Sequence, residues 1–156
     1  MRTQSSRGFS ITELLIVVAV ASLILTFAVP AMQESLGASR LQSTAVQLSS
    51  ELSFARTIAV SRNAIFELRI NADQRTFQVV DPADPENPPR ALKSFDQGVV
   101  AGPGTPAAIR FFPRGHADAA VVSLFNDFGQ RVNLRILASG MVQVNDFQAA
   151  AEYESN

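Results

Sequence analysis

The chain changes its hydrophobic period twice. Residues 14–29 (LLIVVAVASLILTFAV) carry no charged side chain and are apolar on every side of a helix. Counted from Phe9, the stretch to Pro30 is long enough to cross a bilayer, which takes about 20 largely apolar residues at 1.5 Å each. Beyond Pro30 the pattern becomes amphipathic. Leu41, Ala45, Leu48, Leu52, Ala55 and Ala59 recur at spacings of four and three and form one helical stripe. Gln42, Ser49, Ser50, Glu51 and Arg56 are assigned to the other faces. This predicts one helix from Phe9 to about Arg62, roughly 80 Å long. Pro30 cannot donate to the preceding turn and should bend it, and Gly37 is a weak point.

From Ala64 the period is two. Phe66, Leu68 and Ile70 alternate with Glu67 and Arg69, and residues 71–74 (NADQ) turn the chain into a returning strand over 76–80. The segment DPADPENPP (81–89) is an acidic, proline-rich loop that no sheet interior accepts. One or two short strands are expected around Phe95, and residues 102–106 form a further loop. Ile109 and Phe111 then alternate with Arg110, and Pro113-Arg114-Gly115 turns. Residues 121–125 form a strand, and Asn126-Asp127-Phe128-Gly129 turns again. Val132, Leu134 and Ile136 face inward opposite Arg131, Asn133 and Arg135, and Ser139-Gly140 leads into a last strand over 141–144. Short strands after one long helix give an α+β fold, an antiparallel sheet packed on the helix's second half.

The N-terminal stretch Arg7-Gly8-Phe9-Ser10-Ile11-Thr12-Glu13-Leu14-Leu15 resembles the signal of type IV prepilins and type II secretion pseudopilins. The resemblance implies cleavage of a basic leader between Gly8 and Phe9, N-methylation of Phe9, an assembly role for Glu13 and a helix kink at Pro30. It also implies the partners: other pilin or pseudopilin subunits, a prepilin peptidase/methyltransferase and an inner-membrane assembly platform. A plain signal peptide fits less well, because its apolar region spans only about 7–15 residues. A simple anchor would account for Glu13 through the helix dipole but not for the Gly-Phe approach.

In the second half, Leu52-x-x-Ala55-Arg56-x-x-Ala59 with Arg62-Asn63, Phe111-x-Pro113-x-Gly115, and Ser139-Gly140 resemble the GspH/FimT group of minor pilins and pseudopilins. The resulting division is leader 1–8, membrane and filament-core helix 9–30, amphipathic continuation 31–62, β-rich domain 63–145 and a mobile tail 146–156. The implied function is a minor pilin of a type IV pilus, supporting assembly from a place at the filament tip. The alternatives are a minor pseudopilin of a type II secretion system and a DNA-binding minor pilin.

Charge and composition narrow this further. The chain has 156 residues and a formal charge of −1, and loss of Arg2 and Arg7 leaves 11 basic against 14 acidic side chains. A mildly acidic protein does not carry the footprint of a general nucleic-acid binder. Arg2 and Arg7 place the N-terminus in the cytoplasm and the β-rich domain in the periplasm, before entry into the filament. There is no cysteine, which excludes disulfides, thiolate catalysis and zinc-thiolate sites.

No residue pattern points to an enzyme or to a cofactor. His116 is the only histidine and reads as a solvated turn residue. The loop at 102–104 lacks the lysine and helix of a phosphate loop. Asp81, Asp84 and Glu86 lack the spacing of an EF-hand, so a solvated acidic loop is expected and no metal. Arg110, Arg114, Arg131 and Arg135 are the candidate DNA patch. Against it, Met141 stands after Gly140 where the DNA-binding relatives carry arginine, and the following segment is acidic.

Overall fold

A computed structural model describes residues 10–148 of the chain. Residues 1–9, with the expected cleavage site at Gly8 and Phe9, and residues 149–156 lie outside the described residues. One helix, α1 (Ile11–Arg62), precedes eight strands. The chain divides into two compact units, Met1–Leu36 and Gly37–Asn156, and α1 contributes to both.

In the first unit Ser10 caps the helix. Its Oγ accepts from the Thr12 N–H at 3.3 Å, which satisfies one orphan donor of the first turn, and its carbonyl accepts the first helical bond, from the Leu14 N–H at 3.1 Å. Glu13 lies in that first turn, where a negative charge suits the helix dipole. Residues 10–36 are all exposed. The polar atoms inside the apolar run are satisfied locally: Ser22 and Thr26 donate to the carbonyls of Val18 and Ser22 at 2.7 and 2.9 Å. Such back-bonding is what apolar surroundings demand of a hydroxyl. The helix is unbroken through Pro30 and Gly37, and it is long and apolar enough to cross a membrane.

In the second unit α1 ends in a left-handed cap. Asn63 has φ of 50°, the Ala64 N–H donates to the Ala59 carbonyl, and the Asn63 N–H donates to the Val60 carbonyl. That pair of bonds closes the last turn, and asparagine tolerates the conformation. The strands follow as β1 (Phe66–Asn71), β2 (Thr76–Val80), β3 (Lys93–Ser94), β4 (Val99–Ala101), β5 (Ala108–Phe111), β6 (Ala120–Asn126), β7 (Arg131–Ile136) and β8 (Val142–Gln148).

These strands form two antiparallel four-stranded sheets, ordered β3-β2-β1-β5 and β4-β6-β7-β8, where the sequence suggested one. Phe66, Leu68 and Ile70 of one sheet and Val132, Leu134 and Ile136 of the other share a core with the helix stripe from Leu41 to Ala59. Strand β8 continues through Gln148, three residues into the expected tail, and a register shift separates the Asn133–Asn145 pair from Arg131–Gln148.

Candidate functional site

Three features of the second unit bind its elements together. The first joins α1 to two turns. Arg56 donates from Nε to the Gly115 carbonyl at 3.2 Å. Gly115 and Gly140 both have positive φ, and a Cβ on Gly140 would collide with that same carbonyl and press on the Arg56 side chain. Three motif residues scattered along the sequence thus meet at one point.

The second feature is a strap. Residues 90–96 run antiparallel along α1 and are fastened to it by polar contacts. The Arg90 guanidinium lies 3.8 Å from the Phe54 ring centroid. Glu51 Oε1 accepts from Arg90 Nη1 at 2.7 Å and from Lys93 Nζ at 2.8 Å. The Thr44 hydroxyl donates to Asp96 Oδ2 and accepts the Asp96 N–H, both at 3.1 Å. Glu51 is only 1 % exposed, and its Oε2 is buried with no hydrogen-bond partner among the described residues. This corrects the assignment of Glu51 to an outer helix face.

The third feature is at β5. The Phe112 ring stacks on His116 with centroids 4.5 Å apart, and the Arg110 guanidinium lies 5.9 Å from the same ring. Arg110 Nε donates to Asp118 Oδ2 at 2.7 Å, and that bond, reinforced by the Asp118 charge, raises the arginine above its usual range.

The arginines proposed as a DNA patch are divided by the fold. Arg110 is on β5 of the first sheet and Arg114 is in the turn after it, while Arg131 and Arg135 are on β7 of the second. The acidic loop is folded on itself: Asp81 Oδ1 accepts the Ala83 N–H at 2.9 Å, and the Asp84 carboxylate accepts the Asn87 amide. Among the described residues no three metal-ligating side chains come together. Glu13 is in place at the start of α1 and Pro30 within it, in the first unit.

Comparison with known proteins gives consistent matches. Residues 44–140 match the family described as Type II transport protein GspH. The fold is similar to the type IV minor pilin FimU of Pseudomonas aeruginosa strain PAO1, at 18 % identity and a TM-score of 0.61. That match covers 69 % of this chain and 90 % of FimU. It is also similar to EpsH, a minor pseudopilin of the Type 2 Secretion System of Vibrio cholerae, at 15 % identity and a TM-score of 0.56, covering 68 % and 96 %. No curated sequence matches significantly.

Proposed function

The chain belongs to the GspH family of minor pilins and pseudopilins, and from that premise we propose that it is a minor pilin of a type IV pilus. In this reading prepilin peptidase removes residues 1–8 and Phe9 is methylated. Residues 9–30 anchor the subunit in the inner membrane with its N-terminus cytoplasmic and its β-rich domain periplasmic. The subunit then enters the filament, at or near the tip, alongside other pilins.

The observation that carries this reading is the division of labour within α1. Residues up to Leu36 are exposed and mostly apolar, whereas the stripe from Leu41 to Ala59 is built into a core. A helix apolar all round needs a lipid or a protein environment, and a filament subunit uses both in turn. Intact-mass measurement of the membrane-extracted protein tests the processing step. Loss of residues 1–8 with one added methyl group is expected, and a full-length N-terminus in cells with active prepilin peptidase would overturn it.

A second reading, a minor pseudopilin, is supported by the family's description as a type II transport protein. Deletion of the gene separates the two. Loss of piliation and twitching with normal exoprotein release fits the pilus, and the reverse pattern fits the secretion system.

A further inference from the structure

The turn between β6 and β7 is fastened from within. Asn126 and Gln130, each 8 % exposed, hold it. Asn126 Oδ1 accepts the Phe128 and Gln130 N–H groups at 3.1 and 3.0 Å, and its Nδ2 donates to Gln130 Oε1 at 2.6 Å. The Gly129 N–H donates to the Asn126 carbonyl at 3.1 Å, with Gly129 left-handed at φ of 74°. An asparagine that bonds its own turn in this way fixes the backbone before any neighbour is met. At the tip, Phe128 is 44 % exposed.

The Phe128 ring lies on α1 at Gly37. A Cβ there would stand 2.6 Å from Phe128 Cδ2, 2.7 Å from Cε2 and 3.2 Å from Asn126 Nδ2, so the ring occupies the place of a side chain. Gly37 is helical and not left-handed, and its backbone does not itself call for glycine. In a helix interior glycine weakens the helix about fivefold relative to alanine. What it provides here is room for the ring. The contact also marks a change along α1. Residues 10–36 are exposed, Gly37 and Ala38 are half-buried, and Leu41 is the first buried position. Among the described residues no hydrogen bond joins residues 126–130 to α1. The ring can therefore swing away about its own side-chain bonds while every hydrogen bond of the turn stays made.

We propose that the β6–β7 turn is a clasp on α1, closed when the Phe128 ring sits on Gly37 and open when the ring swings away. Closed, it holds the helix rigid from Gly37 onward. Open, it leaves the turn of helix from Gly37 to Leu41 free to loosen, because the bare glycine favours the coil. For a subunit that exchanges lipid for neighbouring subunits, the clasp would decide whether that turn of helix acts as a strut or as a joint. Neither the clasp nor its test depends on filament assembly.

The test uses the full-length chain in detergent, with hydrogen exchange read by mass spectrometry over residues 33–41. Phe128→Ala should raise exchange there about fivefold and leave β1 at wild-type protection. Gly37→Ala separates the ring from helix propensity. Beside Phe128 the added methyl group evicts the ring, so exchange should stay at or above the wild-type rate. In the Phe128→Ala background nothing obstructs it, and the same substitution should slow exchange about fivefold. Wild-type exchange in Phe128→Ala overturns the proposal, and so does an equal slowing by Gly37→Ala in both backgrounds. The chain has no tryptophan, so Phe128→Trp gives a second readout that keeps an aromatic ring in the seat. Adding Gly37→Ala to Phe128→Trp should shift its emission to the red and make it more readily quenched by acrylamide. Unchanged emission and quenching overturn the clasp, whatever the fate of Phe128→Ala.

Discussion

Glu51 Oε1 and Arg90 Nη1 stand 2.7 Å apart, a carboxylate 1 % exposed on the helix facing a guanidinium 39 % exposed on the strap. Lys93, 38 % exposed, reaches the same oxygen. The unequal burial makes the two sides of this contact unequal in energy. Removing Glu51 leaves two cations that can turn to water, whereas removing both cations strands a buried charge. Arg90→Ala/Lys93→Ala should therefore cost about 3–5 kcal/mol, and Glu51→Ala about 1–3 kcal/mol. Denaturant unfolding of the full chain in detergent, followed by far-ultraviolet circular dichroism, measures both. Equal losses would show that desolvation of the carboxylate does not control the strap.

Gly140 and Gly104 share a left-handed backbone, with φ of 74° and 82°, but not a neighbourhood. A Cβ on Gly104 meets nothing within 4 Å, whereas on Gly140 it collides with the Gly115 carbonyl. Gly104→Ala should then cost only the left-handed penalty, about 1–2 kcal/mol. Gly140→Ala adds a backbone collision at the junction of two turns, for a total of roughly 3–4 kcal/mol. Melting temperatures of the two variants decide it. The idea that the turns are locked together fails if they are equally affected.

The elements were largely legible because each has an uninterrupted period: all-apolar to Val29, three-and-four to Ala59, and two in most strands. Strand β8 ran past its expected end at residue 144, because the chain stays extended through Gln148 although its alternation of apolar and polar residues stops at Val144. Two sheets rather than one could not be read, since alternation marks a strand's face but not its neighbour. Glu51 was misplaced on its polarity alone. At about 100° per residue it lies about 60° from Leu48, on the flank of the apolar stripe, with Thr44 seven residues before it. Both polar residues needed partners, and these came from a loop about 40–50 residues away whose position no local pattern reveals.

Glu13 stands in the first turn of a helix that Ser10 already caps, so the helix start does not depend on it. We propose for it a role in assembly, where the amine of Phe9, once the leader is removed, would enter apolar surroundings. An isolated charge there is costly unless an opposite one meets it. Glu13→Ala should therefore insert in the membrane at normal level, because the span becomes more apolar, yet be absent from sheared filaments. Normal incorporation of this variant would remove Glu13 from the assembly mechanism.

DNA binding gives the sharpest contrast with a purely structural subunit. Arg110 is engaged by Asp118, Arg90 by Glu51 and Arg69 by Glu67, so these cations are already neutralised within the fold. The candidate patch arginines divide between two sheets, and residues 9–156 carry 11 basic against 14 acidic side chains. Binding driven by phosphate contacts scales with the number of phosphates neutralised, and the net acidic balance opposes it. The full chain in detergent should bind duplex DNA no more tightly than about micromolar near physiological salt, within the non-specific range. Arg135→Ala should change this little. Titrations at two salt concentrations settle the point. Submicromolar affinity that falls steeply with salt, and that is lost in Arg131→Ala or Arg135→Ala, would establish the β7 arginines as a DNA-binding surface.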